Sequence, residues 1–126
     1  LADLARPDVT LALGVAADSI GRHARWVLSR DKLQVQPKFQ EADVDGVLQR
    51  MRHGEADAGI VYATSFAGAG DDIECIDIPE AQNTPALYSI ASLRLAKEPR
   101  AAAAFCALVR GERGQAALRT AGFRPR

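Results

Sequence analysis

Short apolar runs alternate with amphipathic stretches over the first half of the chain, and that alternation limits what it can fold into. "VTLALG" (9–14) is apolar, starts with the β-branched pair Val9 and Thr10 and closes on glycine, which predicts a strand. In "DSIGRHARWVLSRD" (18–31), Ile20, Ala24, Val27 and Leu28 recur at helical spacing, and Asp18 or Ser19 can cap the helix start. "VQPKF" (35–39) predicts a short strand, irregular or at an edge because Pro37 has no N–H for a ladder. "EADVDGVLQRMRHGEAD" (41–57) is the clearest helix, with the stripe Val44, Val47, Leu48, Met51, an N-cap at Asp43 and a stop at Gly54. "AGIVYA" follows as a buried strand. The order β-α-β-α-β predicts an α/β fold with a mainly parallel sheet, right-handed crossovers and flanking helices.

Beyond it, residues 63–70 predict a Gly/Ala loop, and "IECIDI" (73–78) and "ALYSIASL" (86–93) are two further strand candidates around a turn at "QNTP". The segment "KEPRAAAAFCALVRGERGQAALRTAGF" predicts a pair of helices, with Pro99 in the first turn of one and Gly111 between them. At 126 residues the chain fits one domain, with an α/β core over 9–93 and a helical end over 94–126.

Charge and motifs exclude more than they assign. Sixteen Lys and Arg balance sixteen Asp and Glu, so there is no long-range attraction for nucleic acid or an anionic membrane. Arg110, Arg113, Arg119, Arg124 and Arg126 read as solvated helix faces. No apolar run approaches the roughly 20 residues that cross a bilayer. The opening "LADLARPDVT" carries no signal sequence and looks like the interior of a longer protein. Cys75 and Cys106 fit no zinc or redox spacing and are expected to be small core residues. His23 lies in the polar part of a helix, and His53 at a helix C-terminus, where an imidazolium complements the dipole. Neither belongs to a catalytic motif. Asp43 and Asp45 fit a cap and a first-turn residue. "GAGDD" (68–72) lacks the lysine of a phosphate loop. No catalytic residue, metal site or cofactor is expected.

One constellation remains. Two helices start just after strands, near Ile20 and at Val44, and their first amides are unsatisfied donors. Tyr62 ends the strand after the second helix. In a parallel unit these all gather on one edge of the sheet, where amides, a hydroxyl and helix dipoles can hold an anion without Lys or Arg. Capped helix starts and a packing tyrosine explain the same pattern, and the pattern alone leaves both readings open.

The stretch "GEADAGIVYATS" (54–65), the tyrosine-bearing "ALYSIASL" and "AAAFCALVRGERGQAALRTAGF" resemble the periplasmic molybdate-binding proteins of ABC importers. "DLARPDVTLALG" resembles their crossing from first to second lobe. The resemblance implies one lobe of a two-lobe periplasmic-binding fold, type II, that binds molybdate or tungstate and delivers it to a membrane permease. It also implies a periplasmic location and no enzymatic activity. In that family the second lobe supplies two backbone amides and a tyrosine hydroxyl, which fall here on Ile20, Val44 and Tyr62. The chain departs from the family's pattern at Val15-Ala16 and Ser65. It also matches only the second lobe and the C-terminal helices, without the first lobe and its serine ligands. The same lobe pair serves as the effector domain of cytoplasmic transcription regulators, which is the alternative function.

In the resembled receptors the C-terminal helices lie largely against the first lobe. Ala102, Phe105, Leu108 and Val109, extended by Ala117, Leu118 and Phe123, therefore need another cover. Leaving such side chains in water costs roughly 1.5–3 kcal/mol each. A homodimer through these helices is expected, and light scattering should show it; a monomer at high micromolar concentration overturns that expectation.

Overall fold

The computed structural model describes residues 1–66, 70 and 72–124. The chain divides into two compact units, Leu1–Ala86 and Leu87–Arg126. The first opens with a 3-10 turn at Ala2–Ala5 and continues as β1 (Leu11–Gly14), α1 (Ser19–Arg30), β2 (Phe39–Glu41), α2 (Val44–Arg52), β3 (Ala58–Gly59) and the short α3 (Ala63–Phe66). The sheet order is β2-β1-β3, and both pairings are parallel. Ala12 stands opposite Phe39 on one side and Gly59 on the other.

Every residue of β1 is buried. Successive side chains of a strand point to opposite faces. Leu11 and Leu13 accordingly join Ala24 and Leu28 of α1, together with Ile60. Ala12 joins Val47 of α2, with Ala56 and the half-buried Phe39, Met51 and Val61 around them. The two helices thus cover opposite faces of the sheet. This is the α/β arrangement with a parallel sheet that the alternation predicted.

The layers meet through glycines. A Cβ on Gly21 would stand 2.0 Å from the Val15 carbonyl oxygen and 2.4 Å from that of Gly14. A Cβ on Gly59 would meet Val47 Cγ1 at 2.7 Å and Met51 Sδ at 2.9 Å. Arg25 reinforces the first junction. Its Nη1 donates to the carbonyls of Gly14 (2.7 Å) and Gly21 (3.0 Å), and its Nη2 donates to Gln40 Oε1 on β2.

Several expectations need correction. The second strand begins at Phe39, not Val35: Pro37 has no donor, and ladder-like bonding starts with Lys38 N–H to the Leu11 carbonyl. Residues 73–78 and 86–93 form no strand. Ile73 and Ile78 do pack on the core, beside Leu48 and beneath α1 respectively, so the apolar pattern there marks burial without pairing. The expected loop at 63–70 begins as a helical turn, and residues 67–69 and 71, including most of "GAGDD", lie outside the described residues. Both cysteines are free; Cys75 is exposed, not a core residue, and Cys106 is half-buried.

The second unit holds α4 (Pro99–Arg110) and α5 (Glu112–Thr120), joined at Gly111. Gln115 Nε2 donates to the Val109 carbonyl, and Tyr88 meets Phe123 edge-on at 5.2 Å. Neither helix has a buried residue: Phe105 is 59% exposed and Leu108 50%. Residues 87–126 carry eight basic and two acidic side chains, against eight and fourteen in residues 1–86. Among the described residues, no helix is long and apolar enough to cross a membrane.

The Gly21 contact gives a sharp test. Its neighbours are backbone atoms that cannot rotate away, so Gly21→Ala should destabilise the chain by about 3 kcal/mol or more, the upper end of overpacking costs. Gly54, with φ +66 and open space around it, should lose only about 1–2 kcal/mol on change to Ala. Urea denaturation followed by circular dichroism compares the two, and an equal loss would refute the steric account.

Candidate functional site

The parallel order puts the C-terminal ends of all three strands on one edge, and α1 and α2 both start there. The chain leaves β1 toward β2 and later returns to β1's other side as β3. Such a reversal opens a crevice outside the strand ends, where α/β sheets bind ligands.

Both helix starts are capped by aspartate. Asp18 Oδ2 accepts from the Ile20 N–H at 3.0 Å, and Asp43 Oδ1 accepts from the Gly46 N–H at 2.9 Å. The two caps differ in which amide they take. At α2 the cap bond goes to Gly46 and does not claim Val44, whose N–H, as the first of the helix, has no intrahelical acceptor. At α1 the Ile20 amide is held by the chain's own carboxylate.

Tyr62 follows from alternation past β3. Ile60 joins the core beneath α1 and Val61 the core beneath α2, so Tyr62 emerges on the α1 side. Its ring meets His23 edge-on, with centroids 5.7 Å apart at 67°. Around this contact lies an open recess of about 390 Å³ lined by Ser19, Arg22, His23, Trp26, Tyr62 and Thr84. Four of these residues stand at i, i+3, i+4 and i+7 of α1, a polar stripe beside the apolar one formed by Ile20, Ala24, Val27 and Leu28. The sixth is brought from far along the chain. Arg30 stacks on Trp26 at 5.2 Å and donates to the carbonyls of Ala81 (3.1 Å) and Asn83 (3.2 Å), and Asn83 Oδ1 accepts from the Thr84 N–H. Among the described residues, no carboxylate lines this recess.

A smaller recess, about 210 Å³, lies along α2 and is lined by Glu41, Gly46, Gln49, Arg50, His53 and Glu55. Arg50 bridges Glu41 and Glu55 and lies 4.5 Å over the Phe39 ring. The hydrogen bond from Arg50 holds the Glu55 carboxyl below its ordinary range, and Glu55, then Glu41, raise Arg50. The charges here satisfy one another at the surface, and such pairs contribute little.

Of the three expected site residues, Tyr62 lines the larger recess and Ile20 is next to one of its walls at Ser19. Val44 stands on the same sheet edge at the start of α2 but does not line that recess. Arg22, His23, Trp26 and Thr84 were not expected there. The first three were legible as a helical stripe with Ser19. Thr84 was not, because a side-chain bond across more than fifty residues places it. Among the described residues no group of three or more His, Cys, Asp or Glu is arranged to hold a metal ion.

A sequence model for bacterial extracellular solute-binding proteins matches residues 1–124. The molybdate-binding protein ModA of Mycobacterium bovis is 30% identical to the chain over 122 residues, which is 97% of this chain and 47% of that protein. ModA from two strains of Mycobacterium tuberculosis matches with the same identity and coverage. The chain therefore spans about half the length of the curated relatives it matches. No solved structure gave a significant match. With a match running from the first residue to the last turn of the helical end, the chain belongs to the family of bacterial extracellular solute-binding proteins.

Proposed function

We propose that this chain forms one wall of a receptor cleft for a tetrahedral oxyanion, molybdate or its close analogue tungstate, and that the loaded receptor hands the ion to the membrane permease of an ABC importer. Its place of work is then outside the cytoplasmic membrane, and it binds without catalysing. The observation that carries this reading is the 30% identity to ModA across the segment whose strand ends and helix starts share one sheet edge. Tyr62 offers a hydroxyl, and Val44 and Ile20 offer backbone N–H groups at the positive ends of two helices. At Ile20 the ion must take the place of the Asp18 carboxylate, itself an oxyanion in the same position. The regulator reading has no observation of its own among the described residues. Pairing of two copies through α4 and α5 has the exposure of Phe105 and Leu108 as its support.

A single wall implies weak binding. Hydrogen bonds to charged groups contribute about 1.5–3 kcal/mol each. For the 126 residues tested by themselves, forgoing the two donors that the resemblance assigns to a first lobe costs on the order of 3–6 kcal/mol, or roughly 10²–10⁴ in affinity. A molybdate titration followed by amide NMR should therefore show saturable shifts at residues 20 and 44, with a Kd roughly 10²–10⁴ weaker than that of a complete two-wall receptor. Tyr62→Phe should weaken it about tenfold. Nanomolar binding by calorimetry, or amides at 20 and 44 that stay still at millimolar molybdate, would overturn the reading.

A further inference from the structure

The ligands proposed above are two amides and a phenol, all uncharged. The recess beside Tyr62 adds something of a different kind. Arg22 lies one turn into α1, and its Nη1 donates to the Ala17 carbonyl at 2.5 Å, on the chain just before the helix. That bond folds the guanidinium back along the turn that opens α1. It uses one of the five N–H donors of an arginine and leaves the others for a ligand. The remaining lining contributes the Ser19, Tyr62 and Thr84 hydroxyls, the His23 imidazole and the Trp26 indole, and among the described residues no carboxylate there neutralises the cation. The nearest acid in sequence, Asp18, is turned to the Ile20 amide.

We propose that Arg22 is the specificity-determining residue of this site and reads the charge of the oxyanion. The inference rests on the oxyanion reading above. Amides and hydroxyls select chiefly by shape and donor direction. A fixed cation adds a term proportional to ligand charge, twice as large for a dianion as for a monoanion of the same size. Arg22 thus favours a doubly charged tetrahedral ion over a singly charged one. His23, edge-on to Tyr62, holds the phenol against the same recess.

Two tetrahedral probes of nearly equal size separate the effects: molybdate, a dianion, and perrhenate, a monoanion. The 126-residue chain is titrated with each at constant ionic strength. Amide shifts at 20 and 44 report binding, and so does emission from Trp26, the chain's single tryptophan and part of the recess wall. Arg22 is exposed, so its contribution is modest. Arg22→Gln should weaken molybdate about two- to fivefold and perrhenate by less, lowering the ratio of the two affinities. Arg22→Lys, which keeps the charge, should restore most of the ratio, and Tyr62→Phe should weaken both ions. If Arg22→Gln leaves the ratio unchanged while Tyr62→Phe weakens both, Arg22 has no such role and the oxyanion site stands. If the unmodified chain responds saturably to neither ion, both readings fall.

Discussion

No methyl group fits between the start of α1 and the end of β1. Gly21 closes onto the carbonyls of Gly14 and Val15, and the rest of the site follows from that approach. It draws the first turn of α1 onto the strand end, so Ile20 is buried and Asp18 is left to cap the amide behind it. It also sets the rotation of the helix. With Ile20, Ala24, Val27 and Leu28 committed to the sheet, the neighbouring stripe of Ser19, Arg22, His23 and Trp26 must face Tyr62. Arg25, bonded to Gly14, Gly21 and Gln40, ties the junction to the second strand. A side chain at residue 21 would lift the helix and move its polar stripe away from Tyr62.

Much of this was legible in the residues. Helical spacing and the two aspartate caps located α1 and α2 closely, because a long periodic stripe with a cap is strongly determined by local chemistry. The gathering of Ile20, Val44 and Tyr62 on one edge followed from alternation alone. What alternation cannot show is whether an apolar run finds a ladder. Ile73 and Ile78 end an apolar run that reads as a strand and are used as packing side chains, while Leu87 and Tyr88 are exposed. Nor can local pattern show Thr84 at the recess, since a single arginine reaching across the chain puts it there. His23 was placed in the polar part of a helix and Arg22 beside it drew no reading, because an anion site made only of neutral donors needs neither.

A receptor wall has requirements different from those of an enzyme. It needs fixed donors, a dry support behind them and no reactive group in front. The sheet meets the second need through the fully buried β1, covered by a helix on each face. The helix starts meet the first, since their amides are aimed by the backbone and lose no side-chain freedom when a ligand arrives. Under the oxyanion proposal the weak point is the α1 turn, where the chain's own carboxylate already takes the Ile20 amide.

The zero net charge conceals a division. The unit that carries the sheet has six more acidic than basic residues, and the helical unit six more basic than acidic. At the isoelectric point, near pH 6.9, the molecule is thus far from uncharged. Each unit keeps a field of its own sign, and the acidic part of one molecule attracts the basic part of another. Attraction of that kind between exposed groups is screened beyond about 8 Å at physiological ionic strength. The chain should accordingly be least soluble in dilute buffer near neutrality and salt in as electrolyte is added. A protein of evenly mixed surface charge has little reason to do so.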